Sequence, residues 1–228
     1  LNKEKKLRVI FRGINIDYFN SKNISILKQE KLKQEWELSS NNFTILLPGR
    51  LTYWKGQEKF IEALNILIED YHVANFQAII LGSDQGRKVY KKKLINLVER
   101  YNLNKKVMFI AHCEEMPLAY SLADVVVSAS TEPEAFGRVS VEAQSMGKPI
   151  IASDIGGSNE TIINKKTGFL YKHEDPRDLA KSLNTVIQLS PEELKNIGNE
   201  GRKNIAKKFD VETMCQSNLK EYKRLIKN

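Results

Sequence analysis

The sequence predicts a doubly wound α/β domain, a parallel sheet with helices on both faces, and three observations lead there. From Phe43 onward, short runs of Ile, Leu and Val alternate with longer amphipathic stretches. Those runs are continuous rather than alternating, which is the pattern of strands covered on both sides. With 228 residues, 41% hydrophobic and 28% charged, the chain can bury one full core and is too polar for a membrane span, and LNKEKK at its start has no apolar stretch of the signal-peptide kind.

The elements follow in order. LRVIF, residues 7–11, reads as an isolated first strand, and RGINIDYF, residues 12–19, leads away from it. A linker and the amphipathic helix ILKQEKLKQEWEL separate it from the sheet. The sheet opens with FTILLPG (43–49), followed by the helix GQEKFIEALNILIEDY (56–71) and the strand FQAIILG (76–82). VYKKKLINLVERYNL is a helix, VMFI a strand, PLAYSLAD a short helix and VVVSAS a strand. GRVSVEAQSMG is the next helix and PIIAS the next strand, for six or so strands in all. Three helices close the chain, the first two opened by Asp175 and Ser190 with Pro176 and Pro191 at the first helical position. The whole is Rossmann-like, and in such sheets ligands bind beyond the carboxyl ends of the strands. The loops after Leu47, Leu81, Ile110, Ser128 and Ser153 are therefore where chemistry is expected.

A net charge of +8 admits nucleic acid, an anionic membrane surface or a phosphate-bearing small molecule as partner. Much of the charge is helical lysine interleaved with acids and poor in aromatic residues, a solvated face rather than a nucleic-acid platform. Cys113 and Cys215 have no CxxC or histidine-rich spacing and read as reduced thiols, Cys113 as a buried small hydrophobe. A cytoplasmic location is expected, with peripheral membrane contact open.

The loop PGRLTYWKG sets Arg50 and Lys55 beside Gly49 and Gly56 at a strand end, two cations suited to a diphosphate. The segment STEPEAFGRVSVEAQSMGKPIIASDIGG puts Glu134 in a loop, Gly137 at a helix start and Glu142 inside that helix, an E-x7-E spacing. Backbone amides near Gly137, Arg138 and Val139 can take a phosphate at the helix N-terminus. Glu142 can accept from ribose hydroxyls. As the acid and base of a glycoside hydrolase the two carboxylates would stand roughly 12 Å apart along a helix, beyond the usual range, unless the loop before the helix folds back.

GRLTYWKG, EAFGRVSVEA and GGSNE together resemble the signature of the family-four retaining glycosyltransferases of the GT-B fold, over Phe43 to Leu170. RGINIDYF is similar to that family's interdomain segment, with Asn15 where Asp is commoner. The resemblance implies that residues 1–20 are a remnant of an N-terminal domain and interdomain segment, with residues before about Ser21 poorly ordered or paired abnormally. It implies that residues 21–228 form the donor-binding domain, inactive without the acceptor-binding domain. Arg50 and Lys55 would bind the diphosphate, Glu134 the donor sugar, Glu142 the ribose, and the amides beside Phe136 and Gly137 the phosphate oxygens. AHCEEMP would lodge the base, with Met116 an apolar contact and Gly82 and Ser83 bordering the cleft. His112 reads as structural or base-edge, and Tyr53 and Trp54 as shaping the sugar pocket or packing.

The implied partner is a nucleoside-diphosphate sugar, transferred with retention to an acceptor sugar or lipid-linked glycan in envelope polysaccharide or lipopolysaccharide synthesis. No cofactor, metal or nucleic acid is expected. Arg50, Lys55 and a helix dipole would set about +2.5 charges against the departing diphosphate. A nucleotide sensor or basic nucleic-acid module is the competing reading, and it rests on charge alone.

Overall fold

The computed structural model describes residues 7–226. Its sheet holds six parallel strands: β1 (Phe43–Pro48), β2 (Phe76–Leu81), β3 (Val107–Ile110), β4 (Val125–Ser128), β5 (Ile150–Ser153) and β6 (Phe169–Tyr171), in the order β3-β2-β1-β4-β5-β6. Side chains alternate across the sheet. Ile45, Leu47, Ala78, Ile80, Val125 and Val127 face one core with α2 (Gln57–Glu69), α3 (Lys88–Arg100) and α7 (Pro176–Ile187). Leu46, Ile79, Leu81, Val126, Ile150 and Ala152 face the other, with α4 (Met116–Leu122), α5 (Arg138–Ser145) and α8 (Pro191–Lys208).

The sheet confirms the predicted architecture and adds β6, which at three residues is too short to register as an apolar run. A one-turn α6 (Ser158–Thr161) is likewise new. Strand order reverses between β1 and β4. The chain leaves β1 toward the first core and β4 toward the second, so a crevice opens at their carboxyl ends.

The caps form as predicted: Asp175 accepts from Arg177 and Asp178 N–H, and Ser190 with Glu193 makes a reciprocal capping box over α8. The helix α1 (Ile26–Glu35) stops at Trp36, which is buried, while no residue inside the helix is. Its amphipathic character is thus weaker than predicted, and its anchors are Trp36 and a bond from Gln29 Nε2 to Ser121.

The N-terminal segment departs from expectation in part. Leu7–Phe11 forms no strand, since none of the six strands pairs with it, and Leu7 and Val9 are exposed. Residues 14–19 are neither loose nor mispaired. Ile14 donates to Phe209 O at 2.9 Å and accepts from Val211 N–H at 2.9 Å, joining the turn between α8 and α9 (Val211–Ile226). Phe19 is buried, and Ser145 Oγ donates to its carbonyl at 2.9 Å. Two apolar anchors and three backbone groups hold this stretch to the domain. Residues 1–6 lie outside the described residues.

Candidate donor-binding site

The loop after β1 forms the first wall. It turns through Gly49 and runs through a 3-10 turn, Tyr53–Lys55, to Gly56, whose φ of 69° is the left-handed conformation that favours glycine. A Cβ at Gly56 would also overlap the Ala129 carbonyl, so glycine there lets the loop after β1 lie against the loop after β4. Gln57, fully buried at the start of α2, donates to Arg50 O at 2.9 Å and accepts from Tyr90 OH at 3.2 Å. That pair fixes the backbone from which Arg50 projects into solvent.

The loop after β4 forms the second wall and carries Glu134. Gly157 N–H donates to Glu134 O at 2.7 Å, which ties the loop to the glycines after β5. Lys55 Nζ donates to Glu134 Oε1 at 2.7 Å, and the Ser130 hydroxyl donates to the same oxygen. Lys55 also sits over the Trp54 ring, 4.5 Å from its centroid, with the Arg50 guanidinium at 5.9 Å.

At the start of α5, the amides of Arg138 and Val139 have no acceptor among the described residues, while Ser140 N–H is already bonded to Gly137 O. Two amides at the positive end of the helix dipole therefore remain to receive an anion. Glu142 lies one turn further on and is buried. Arg138 Nη2 and Nε donate to its Oε1 at 2.8 and 3.1 Å, and Tyr120 OH donates to its Oε2 at 2.8 Å. Burial, reinforced by the negative charge of Glu142, pushes the Tyr120 phenol far above its ordinary range, so it stays a donor.

These groups surround one open cleft of about 590 Å³ at the carboxyl ends of β1, β2, β3 and β4. Of the predicted residues, Gly49, Arg50, Lys55, Gly82, Ser83, Met116, Glu134, Arg138, Val139 and Glu142 line it. Phe136 and Gly137 do not. The Phe136 ring turns into the second core and lies 6.2 Å from Phe209, and Gly137, at φ 71°, caps α5 from behind. Trp54 lines the cleft, whereas Tyr53 turns away to pack on Tyr90 at 4.2 Å. Cys113 is not a buried core thiol. It is half-buried on the cleft wall, with its thiol pushed up by burial.

The charge count also changes. Both carboxylates share the cleft with the cations, so Arg50, Lys55 and Arg138 against Glu134 and Glu142 leave one net positive side-chain charge. Sequence reasoning passed over Gln57, Ser130 and Tyr120. Each is a polar residue on the buried side of an otherwise apolar stretch, a pattern that reads as packing until a partner is seen. A larger groove of about 640 Å³ lies at the β6 edge between α7 and α8, where Lys165, Lys181, Asp178 and Glu193 offset one another. It is remote from the strand ends where the cations converge.

Fold and cleft together define a doubly wound α/β domain with a cation-lined cleft at the switch point of its sheet. Residues 28–204 match the family described as glycosyl transferases group 1, and the chain belongs to that family, with the GT-B fold. It is 34% identical to a crystallised glycosyltransferase from Rickettsia africae, covering 99% of this chain and 59% of that one at a TM-score of 0.93. It is 30% identical to Anabaena Alr3699/HepE, solved with UDP and glucose, covering 95% of this chain and 57% of that one at a TM-score of 0.86. Among curated relatives, the capsular polysaccharide biosynthesis glycosyltransferase CapM of Staphylococcus aureus is 28% identical over 97% of this chain. The chain spans 58% of the length of CapM and 54% of a Methanocaldococcus jannaschii glycosyltransferase.

Proposed function

We propose that this domain binds a nucleoside-diphosphate sugar in the cleft after β1 and β4 and presents the sugar for transfer, with retention, to an acceptor hydroxyl held by the remaining part of a longer protein. One observation carries the reading. Arg50, Lys55, the free amides of Arg138 and Val139, and the paired carboxylates Glu134 and Glu142 converge on a single cleft at the switch point of the sheet.

On this reading the diphosphate lies between Arg50, Lys55 and the α5 amides, and Glu142 accepts from the ribose. Glu134 faces the sugar with its free oxygen, and the 111–116 segment takes the base. As the acceptor oxygen bonds to the anomeric carbon on the face the leaving group vacates, the electron pair of the broken C–O bond passes to the diphosphate, whose departing oxygen takes the proton of the acceptor hydroxyl. Arg50 and Lys55 stabilise that added charge in a partly desolvated site. No protein nucleophile or divalent ion is required for that step. The names of CapM and the Anabaena protein support a glycan-synthesis role with a UDP-linked donor. No helix among the described residues is long and apolar enough to cross a membrane.

Calorimetric titration with UDP, GDP and ADP, with and without magnesium, tests the reading. One nucleotide is expected to bind without the ion, with Arg50→Ala and Glu142→Ala each weakening it about tenfold or more. Absence of binding to a folded wild-type chain, or variants that bind as wild type does, would refute it.

A further inference from the structure

Glu142 is gripped from two unlike sides. Arg138 holds Oε1 from the solvent side, with its own side chain 76% exposed. Tyr120 holds Oε2 from within, and it is fully buried in the second core beside Phe19, 6.1 Å between ring centroids. Glu142 is the one side chain that Tyr120 meets by a hydrogen bond among the described residues. Tyr120 also stands one turn along α4 from Met116, so the same short helix borders the 111–116 segment and fixes the carboxylate on α5.

The lone pairs show what this grip does. An ionised carboxylate offers about four acceptor sites. Arg138 takes two N–H bonds on Oε1 and Tyr120 one on Oε2, which leaves about one site, on Oε2, for an incoming hydroxyl. The Arg138 grip is exposed and can be exchanged for ligand groups. Tyr120, packed on every side, cannot move away. The phenol therefore decides where Oε2 points and which lone pair it presents to the cleft.

Building on the assignment of Glu142 to the ribose, we propose that Tyr120 is a positioning residue that gives this site its preference for ribose over deoxyribose. A carboxylate locked in one orientation hydrogen-bonds a correctly placed hydroxyl and is left unsatisfied by a ligand that lacks it, which penalises the deoxy analogue. A carboxylate free to rotate loses that selectivity while the diphosphate contacts are untouched.

The test uses UDP, GDP and ADP beside their 2′-deoxy and 3′-deoxy forms, titrated into wild type, Tyr120→Phe, Glu142→Gln and the double variant. Wild type is expected to prefer one ribonucleotide over at least one of its deoxy forms by about tenfold or more, the scale of one hydrogen bond to a charged group. Tyr120→Phe, which keeps the ring and its packing, is expected to reduce that preference to about twofold while binding the deoxy form nearly as wild type does. In the Glu142→Gln background the same change is expected to have no further effect on the ratio. If wild type discriminates and Tyr120→Phe discriminates equally, Tyr120 only packs and the proposal falls while the ribose assignment stands. Uniform weakening of all nucleotides by Tyr120→Phe, together with a lower Tm, would likewise reduce it to a structural role. Absence of any preference in wild type overturns the assignment of Glu142 to the ribose and the proposal with it.

Discussion

Replacing Lys55 by Met should separate what this residue does for stability from what it does for binding. Lys55 and Glu134 stand 2.7 Å apart with side chains only 13% and 16% exposed. At an effective dielectric of about 20 their attraction is on the order of 6 kcal/mol before desolvation, and desolvation cancels much of it. Removing one partner strands the other. The cost for a buried pair is typically about 3–5 kcal/mol, and the Ser130 hydroxyl still bonded to Glu134 places this case near the lower end. About 3 kcal/mol in a domain of this size lowers Tm by roughly 6–12 °C. Adding Glu134→Gln removes the stranded charge, so Lys55→Met with Glu134→Gln should recover most of the stability. Nucleotide binding should not recover, because the cation that faces the diphosphate is still missing. Urea unfolding followed by fluorescence, beside calorimetry with UDP, GDP and ADP, measures both quantities. A double variant as unstable as Lys55→Met would refute the electrostatic account, and wild-type nucleotide affinity in Lys55→Met would refute the role of Lys55 in the cleft.

Two further outcomes follow from packing and burial. A Cβ at Gly198 would overlap the Gly147 carbonyl where α8 crosses the end of α5, a backbone contact that no rotamer relieves, so Gly198→Ala should cost about 3 kcal/mol in urea unfolding. A loss under 1 kcal/mol would mean that the two helices slide apart easily. Tyr90, Tyr120 and Tyr171 all have phenols pushed up by burial, so the unfolded chain loses these protons first as pH rises past about 10. Their stabilising contribution is complete below pH 10 and is lost above it at roughly 4 kcal/mol per pH unit for the three together. Against a total stability of about 5–15 kcal/mol, unfolding near pH 12 is expected, with the 295 nm phenolate absorbance of these three rising only as the fold is lost. Full tyrosine ionisation in a chain that keeps its native circular dichroism would contradict their burial.

Periodicity alone located five of the six strands and most helices, because a strand covered on both faces must be apolar at every position and a helix on one stripe only. β6 gives no signal because three residues carry no period, and LRVIF, an apolar run with a preference for pairing, finds no neighbour among the six strands. At the site, Arg50 and Lys55 stood out as cations near Gly49 and Gly56 at a strand end and Glu134 and Glu142 by their E-x7-E spacing, and all four line the cleft.

What the sequence by itself determined, then, is the class of fold, the strand ends where the cleft opens and the charged residues that line it. Only the tertiary structure decided how those charges are spent. Lys55 is set against Glu134 and Arg138 against Glu142, Phe136 turns into the core, and Tyr120 reaches Glu142 from 22 positions away. Propensity and hydrophobic pattern act over a few neighbouring residues, whereas hydrogen bonds and ion pairs depend on distances of about 3 Å between groups that the folded sheet alone brings together.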